Sequence, residues 1–126
     1  MTVTILVVED DEMLRRSLVA LFTRRGFAVT EAASGNQAIR IFDADKSIHL
    51  VIADYYMPDG DGGQLLSHIR SIDPDRPPFI LLTGQTDPNV MLPRVGISEL
   101  LYKPVSVRDL IEIVMRYTTE QPAKAP

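Results

Sequence analysis

Five short apolar runs, each separated from the next by an amphipathic stretch, constrain this chain more than any other feature. They are Val3–Val8, Phe27–Thr30, Leu50–Ala53, Phe79–Leu82 and Leu100–Tyr102. Most are aliphatic or β-branched and lack period-two alternation. Strands buried on both faces of a parallel sheet read this way. Between them lie helix candidates. The first places Leu14, Leu18, Leu21 and Phe22 at helical spacing and stops near Gly26. The second opens with Ser34-Gly-Asn-Gln37, a capping box in which Ser34 and Gln37 satisfy each other's free amides. The third carries Leu65, Leu66 and Ile69 behind Asp61-Gly-Gly-Gln64. The last opens with a second capping box, Ser106 to Asp109, and buries Leu110, Ile111 and Val114. Ahead of the fifth run, Asp87 as N-cap and Pro88 at the first helical position start a helix. Pro93 then removes an amide and pushes Leu92 out of the helical region, leaving a short or irregular fourth helix of one or two turns at most. The alternation predicts an α/β fold: a doubly wound, five-stranded parallel sheet with helices on both faces. In such folds the site lies beyond the carboxyl ends of the strands.

Length and charge narrow the class. The 126 residues suit one domain, expected over residues 1–118, with 119–126 as a flexible tail or linker start. A net charge of −4 gains nothing from phosphate neutralisation, so no direct contact with nucleic acid is expected. The absence of cysteine excludes disulfide, zinc-thiolate and iron–sulfur chemistry and fits a reducing cytosol. Val3–Val8 is too short for a signal sequence or a membrane span, so the expectation is a cytoplasmic protein with no membrane association. Met1, close to the first strand, argues against a C-terminal position in a longer chain; the Pro/Ala tail fits either a stand-alone chain or a piece of a larger one.

The polar residues at the strand ends carry the chemistry. Run one ends in Glu9-Asp10-Asp11, run three in Asp54, run four in Thr83-Gly84 and run five in Lys103-Pro104. Singly, each has a structural reading: Asp10 or Asp11 as a helix cap, Asp54 as a strand-end acid, Thr83 bonded to backbone, Lys103 in solvent. A parallel sheet gathers them at one edge, where clustered carboxylates call for a hard cation such as Mg²⁺. A metal held by Asp10 and Asp54 could bind one phosphoryl oxygen, with Lys103 and the Thr83 hydroxyl taking the others. Such positioning and neutralisation is most of what phosphoryl transfer requires. Asp54, ionised at neutral pH, needs no general base.

At these residues the sequence resembles the receiver domain of two-component response regulators, over residues 3 to 117. The markers are Ile5-Leu-Val-Val-Glu-Asp-Asp11, Leu50-Val-Ile-Ala-Asp-Tyr-Tyr-Met-Pro58, Asp61-Gly62, Leu81-Leu-Thr83 and Tyr102-Lys-Pro104. The resemblance implies a flavodoxin-like fold with strand order 2-1-3-4-5. It implies that Asp54 accepts a phosphoryl group from a phosphohistidine of a cognate histidine kinase or phosphotransfer protein and signals to a downstream protein. Its implied metal ligands are Glu9 (directly or through water), Asp10, Asp54 and the backbone carbonyl of Tyr56, around Mg²⁺ or Mn²⁺. Asp11 matches an additional helix-start residue. Thr83 and Lys103 match the groups that grip the phosphate, and the Lys103–Pro104 peptide is implied to be cis. The chain would then be no enzyme beyond its own Mg-dependent phosphorylation and dephosphorylation.

The sequence departs from the family in three places. Leu100 stands where an aromatic switch residue is common, and Tyr102 lies on the same strand face; it reads as a packed tyrosine with its hydroxyl in water, with substitution for the switch as the alternative. The stretch from Thr83 to Lys103 is short and carries Pro93, which weakens the dimer surface usual in the family; a monomer or weak homodimer is expected, signalling through another face or through disorder of this segment. Tyr56 and Gln85 flank the water path to the phosphate. Bulky Tyr56 is expected to lengthen the life of the phosphorylated state, while Gly84 agrees with the family's small residue. Arg15, Arg16, Arg24 and Arg25 read as a solvated helix face, with kinase docking as the alternative. His49 and His68 lack a metal spacing, and Asp59–Gly62 reads as a turn, not a calcium loop. Two competing functions are a phosphorylation-independent pseudo-receiver and an aspartate-nucleophile phosphatase. Against the first stands the complete set Glu9, Asp10, Asp54, Thr83 and Lys103; against the second, the missing second acid after Asp54 and the lack of room for a cap domain.

Overall fold

A computed structural model describes residues 2–84 and 91–123. Its elements are β1 (Thr4–Val8), α1 (Glu12–Arg24), β2 (Ala28–Ala32), α2 (Gly35–Ala44), β3 (Ile48–Asp54), α3 (Gly62–Ile72), β4 (Phe79–Thr83), β5 (Glu99–Tyr102) and α4 (Val107–Ala123). The five strands form one parallel sheet in the order β2-β1-β3-β4-β5, as expected.

The missing alternation in the strands has a direct cause: both faces of the sheet are buried. Leu6, Val8, Val51, Ala53, Phe79 and Leu81 point to one side and meet Ala38 of α2 and Leu65, Leu66 and Ile69 of α3. Ile5, Val7, Leu50, Ile52, Ile80 and Leu82 point to the other and meet Leu18 and Phe22 of α1 and Leu110, Ile113 and Val114 of α4. In α4, Ile113 is the buried residue, and Ile111 is only partly covered. His49 has a structural task, since its Nδ1 accepts the Thr4 amide at 3.0 Å.

Helix starts follow the expected residues with altered partners. The Ser34 hydroxyl accepts the Gln37 amide, but Gln37 Oε1 reaches back to the Ala33 amide at 2.7 Å instead of that of Ser34. Asp61 and Gln64 form the full reciprocal box. Ser106 accepts the Asp109 amide at 3.3 Å. The Asp59–Gly60 turn, with both residues at positive φ, docks on the start of α2 through Gly35 N–H to Gly60 O and Asn36 Nδ2 to Asp59 Oδ1.

Asp87 and Pro88 lie outside the described residues, as does Gln85; residues 91–98 are not helical. Arg70, on the last turn of α3, holds this connection. Its Nε donates to Gly96 O and its Nη2 to Pro77 O, both at 2.8 Å. Gly96 takes a φ of +91°, open to glycine at no steric cost, and its bare Cα faces the Arg70 stem. Ser98 then enters the sheet by exchanging bonds with Phe79. The Lys103–Pro104 peptide is cis, as implied, and so is Arg76–Pro77. Helix α4 continues to Ala123, past the boundary expected at 118, with the Thr118 and Thr119 hydroxyls bonded to carbonyls one turn back.

Candidate functional site

The parallel register delivers the strand ends to one edge. β1 stops at Val8, and the Glu9 amide still bonds Ala32 O at 3.0 Å, holding the start of the acidic run on the sheet. Asp11 turns out to be the cap of α1, its Oδ1 accepting the amides of Met13 and Leu14. The capping role therefore belongs to Asp11, and Asp10 is left at the cluster. Asp54 closes β3, pairing in register with Leu82, and the next amide, Tyr55 N–H, bonds Leu82 O at 2.8 Å. Thr83 is fully buried at the end of β4, opposite Tyr102 of β5, and accepts the Lys103 amide at its carbonyl.

Glu9, Asp10 and Asp54 each place a carboxylate oxygen within 4.8 Å of the others. Glu9 is 1% exposed and Asp54 6%, while Asp10 faces solvent. The Lys103 ammonium sits between the two enclosed acids, 3.0 Å from Glu9 Oε1 and 3.3 Å from Asp54 Oδ2. Glu9 Oε2 also accepts the Asp11 amide. Burial raises the pKa of Glu9 and of Asp54 above the usual carboxylate range, and the partnership with Lys103 offsets only part of that. For Lys103, burial alone would lower the pKa; the hydrogen bond to Glu9 and the charges of Asp54 and Glu9 outweigh it and hold the ammonium charged. The edge thus combines two desolvated carboxylates, an exposed third and one cation.

The other expected residues fall around this centre. Tyr56 is 47% exposed, and Tyr102 is similarly open to solvent and not the packed tyrosine expected. Leu100 packs against the α2/α3 side of the core and pairs with Leu81. Arg15 is not part of a solvated face: its Nη1 donates to Glu9 O at 2.9 Å and its Nε to Glu31 at 2.9 Å. It fixes the backbone of a site acid from the second turn of α1. The signal for this was present, because Arg15 follows Asp11 by four residues and so faces back along the helix toward the strand end. His68 pairs with Asp43 at 2.7 Å, joining α3 to α2 away from the site.

The family model for the response regulator receiver domain matches residues 5–115. The chain belongs to that family. Among its curated relatives, the sensor kinase CckA of Brucella abortus is 33% identical over 121 residues, covering 94% of this chain and 13% of the relative. The response regulator protein FleR of Pseudomonas aeruginosa is 34% identical over 122 residues, covering 96% of this chain and 26% of FleR. This receiver thus spans about a quarter or less of those relatives. The crystal structure of the response regulator TrrA from Thermotoga maritima, in complex with Mg²⁺-BeF, superposes with a TM-score of 0.82 at 28% identity, covering 92% of this chain and 99% of TrrA. Receivers are signalling domains, not enzymes in the ordinary sense. No helix among the described residues is long and apolar enough to cross a membrane.

Proposed function

We propose that this receiver is a phosphorylation-driven switch in a phosphorelay, with Asp54 as the acceptor. The observation that carries the reading is the Lys103 ammonium lodged between the buried Glu9 and Asp54 carboxylates at the carboxyl edge of the sheet. An ion pair inside a fold stabilises little by itself. Its value here is a cation already aimed at the oxygen that would carry a phosphoryl group.

The donor set fits magnesium. Three carboxylate oxygens lie close enough to share one ion, all hard donors, and burial has left two of them short of positive charge. Glu9, Asp10, Asp54 and the backbone carbonyl of Tyr56 would hold the metal, with Mn²⁺ as a substitute of like preference. When bound, it neutralises the carboxylates and the phosphoryl oxygens beside them.

The chain's own residues then do the following. An Asp54 carboxylate oxygen attacks the phosphorus of a phosphohistidine. The new O–P bond forms as the N–P bond breaks, and the imidazole nitrogen keeps the electron pair. Lys103 and the Thr83 hydroxyl take the phosphoryl oxygens. In the return reaction water attacks phosphorus, the O–P bond to Asp54 breaks, and inorganic phosphate leaves. Tyr56 shields this water path and lengthens the phosphorylated state. The donor, on a histidine kinase or phosphotransfer protein, docks at the groove of about 620 Å³ beside Lys103, whose walls include Leu14, Leu18 and Leu21 of α1 and Val105 and Leu110 near the start of α4. The receiver works as a monomer or weak homodimer in the cytoplasm, residues 1–118 suffice for the chemistry, and the signal passes to a downstream protein through the 91–98 connection, since Leu100 cannot act as an aromatic switch.

Mixing the chain with a phosphohistidine-loaded phosphotransfer protein and Mg²⁺ tests this. Phosphate is expected to leave the donor and appear on this chain, and not on Asp54→Asn. Full retention on the donor, in the presence of a receiver that does accept from it, would contradict the assignment.

A further inference from the structure

Tyr55, next to the acceptor, has no role in the reading above. Its backbone is fixed on both sides: the amide donates to Leu82 O at 2.8 Å and the carbonyl accepts the Gly62 amide at 2.9 Å. The ring packs against the α2/α3 side of the core. It rests over the start of α3 at Gly63, where an added Cβ would come within 3.3 Å of Tyr55 Cε1, so the glycine gives the ring its seat. From that seat it meets the Tyr56 ring edge to face, with centroids 4.7 Å apart and planes at 84°. This is the geometry aromatic quadrupoles favour.

Tyr55 and Tyr56 follow the end of β3 in a bend, and an edge-to-face contact between adjacent rings requires a particular χ1 at each. Tyr55 is partly buried against the core; Tyr56 is half in solvent. The packed ring therefore restrains the exposed one. Tyr55 also lines a shallow cleft with Gln64 and Ser67 of α3 and with Leu92 and Pro93 across from them. A shift of the 91–93 segment would be felt at the same ring.

We infer that Tyr55 is a positioning residue that sets the lifetime of the aspartyl phosphate by holding the Tyr56 ring in one orientation. The inference rests on the reading of Tyr56 as a shield of Asp54. It uses the Tyr55 ring and not the hydroxyl.

Two measurements separate this inference from the reading beneath it. In the unphosphorylated protein, Hα–Hβ couplings of Tyr56 report its χ1 directly. A single rotamer is expected in the wild type and in Tyr55→Phe, and rotamer averaging in Tyr55→Leu and Tyr55→Ala. An unaltered Tyr56 coupling in Tyr55→Ala would overturn the positioning role whatever the chemistry at Asp54. The second measurement is decay of the phosphorylated protein with Mg²⁺ in excess. Tyr56→Ala is expected to accelerate decay, Tyr55→Leu to accelerate it by roughly 2- to 10-fold, the range an edge-to-face pair supports, and Tyr55→Phe to leave it unchanged. In the Tyr56→Ala background, Tyr55→Leu should add nothing. Equal acceleration by Tyr55→Leu with and without the Tyr56 ring would overturn the inference and leave the shield in place. No acceleration by Tyr56→Ala would remove the shield itself. Tyr55→Leu keeps most of the packed volume, so the test does not depend on the alanine variant folding.

Discussion

Glu9 and Asp54 are carboxylates enclosed by protein, and Lys103 is the cation beside both. Removing Lys103 would leave two desolvated like charges facing each other. Lys103→Ala is therefore expected to cost about 1–3 kcal/mol in denaturant unfolding without metal, even though it deletes an ion pair of small net worth. Asp54→Asn is expected to act the other way, raising the melting temperature of the metal-free protein, because it removes one of the crowded charges and leaves the Glu9–Lys103 contact. Magnesium should do the same to the wild type. At a tenfold excess over its Kd the gain is roughly 1.4 kcal/mol, a rise in Tm on the order of 5 °C. A smaller rise in Asp54→Asn and in Glu9→Gln, measured by calorimetry, would show that these carboxylates bind the ion. At this scale most of the site was legible from the strand ends alone. The division of labour between Asp10 and Asp11 was not, because either could cap α1 and only backbone geometry selects Asp11. Arg15 was misjudged for a related reason: an arginine run looks like a solvated face until one member finds a carbonyl to bind.

Between β4 and β5 the chain turns without a helix over 91–98, and Arg70 takes over the work of holding it. The planar guanidinium serves three carbonyls, Gly96 and Pro77 at 2.8 Å and Asp73 at 3.4 Å, a geometry lysine cannot copy. Arg70→Ala is expected to destabilise the fold by about 2–3 kcal/mol, since it strands partly buried carbonyls, and to raise amide exchange selectively over 91–98. Arg70→Lys should fall between. Uniform exchange in all three proteins would show that the connection is held by something else. Pro93, through its missing amide and its effect on Leu92, announced the absence of helix over the described residues 91–98. The clasp was not legible, because Arg70 and Gly96 are far apart in sequence and no periodicity links them. By composition Thr118 and Thr119 look like the start of a tail, yet both hydroxyls bond back to carbonyls of α4 one turn earlier.

As a whole the molecule is a two-sided sandwich in which nearly every inward position of the three central strands is apolar. That arrangement leaves the polar chemistry to the strand ends, and parallel pairing brings those ends to one edge. The five apolar runs were enough to read the fold, since a chain with five doubly buried strands and intervening amphipathic helices has few other solutions. The strand order needed the family resemblance, because periodicity says nothing of which strand neighbours which. One measurement bears on the central claim, that the acid at the end of β3 accepts phosphate. Intact mass is recorded after incubation with a small-molecule phosphodonor and Mg²⁺, for wild type, for Asp54→Asn and for wild type with a chelator. One added phosphate is expected on the wild type, lost with the chelator and absent from Asp54→Asn. An adduct that persists in Asp54→Asn, or none on the wild type under conditions that label another receiver, would contradict it.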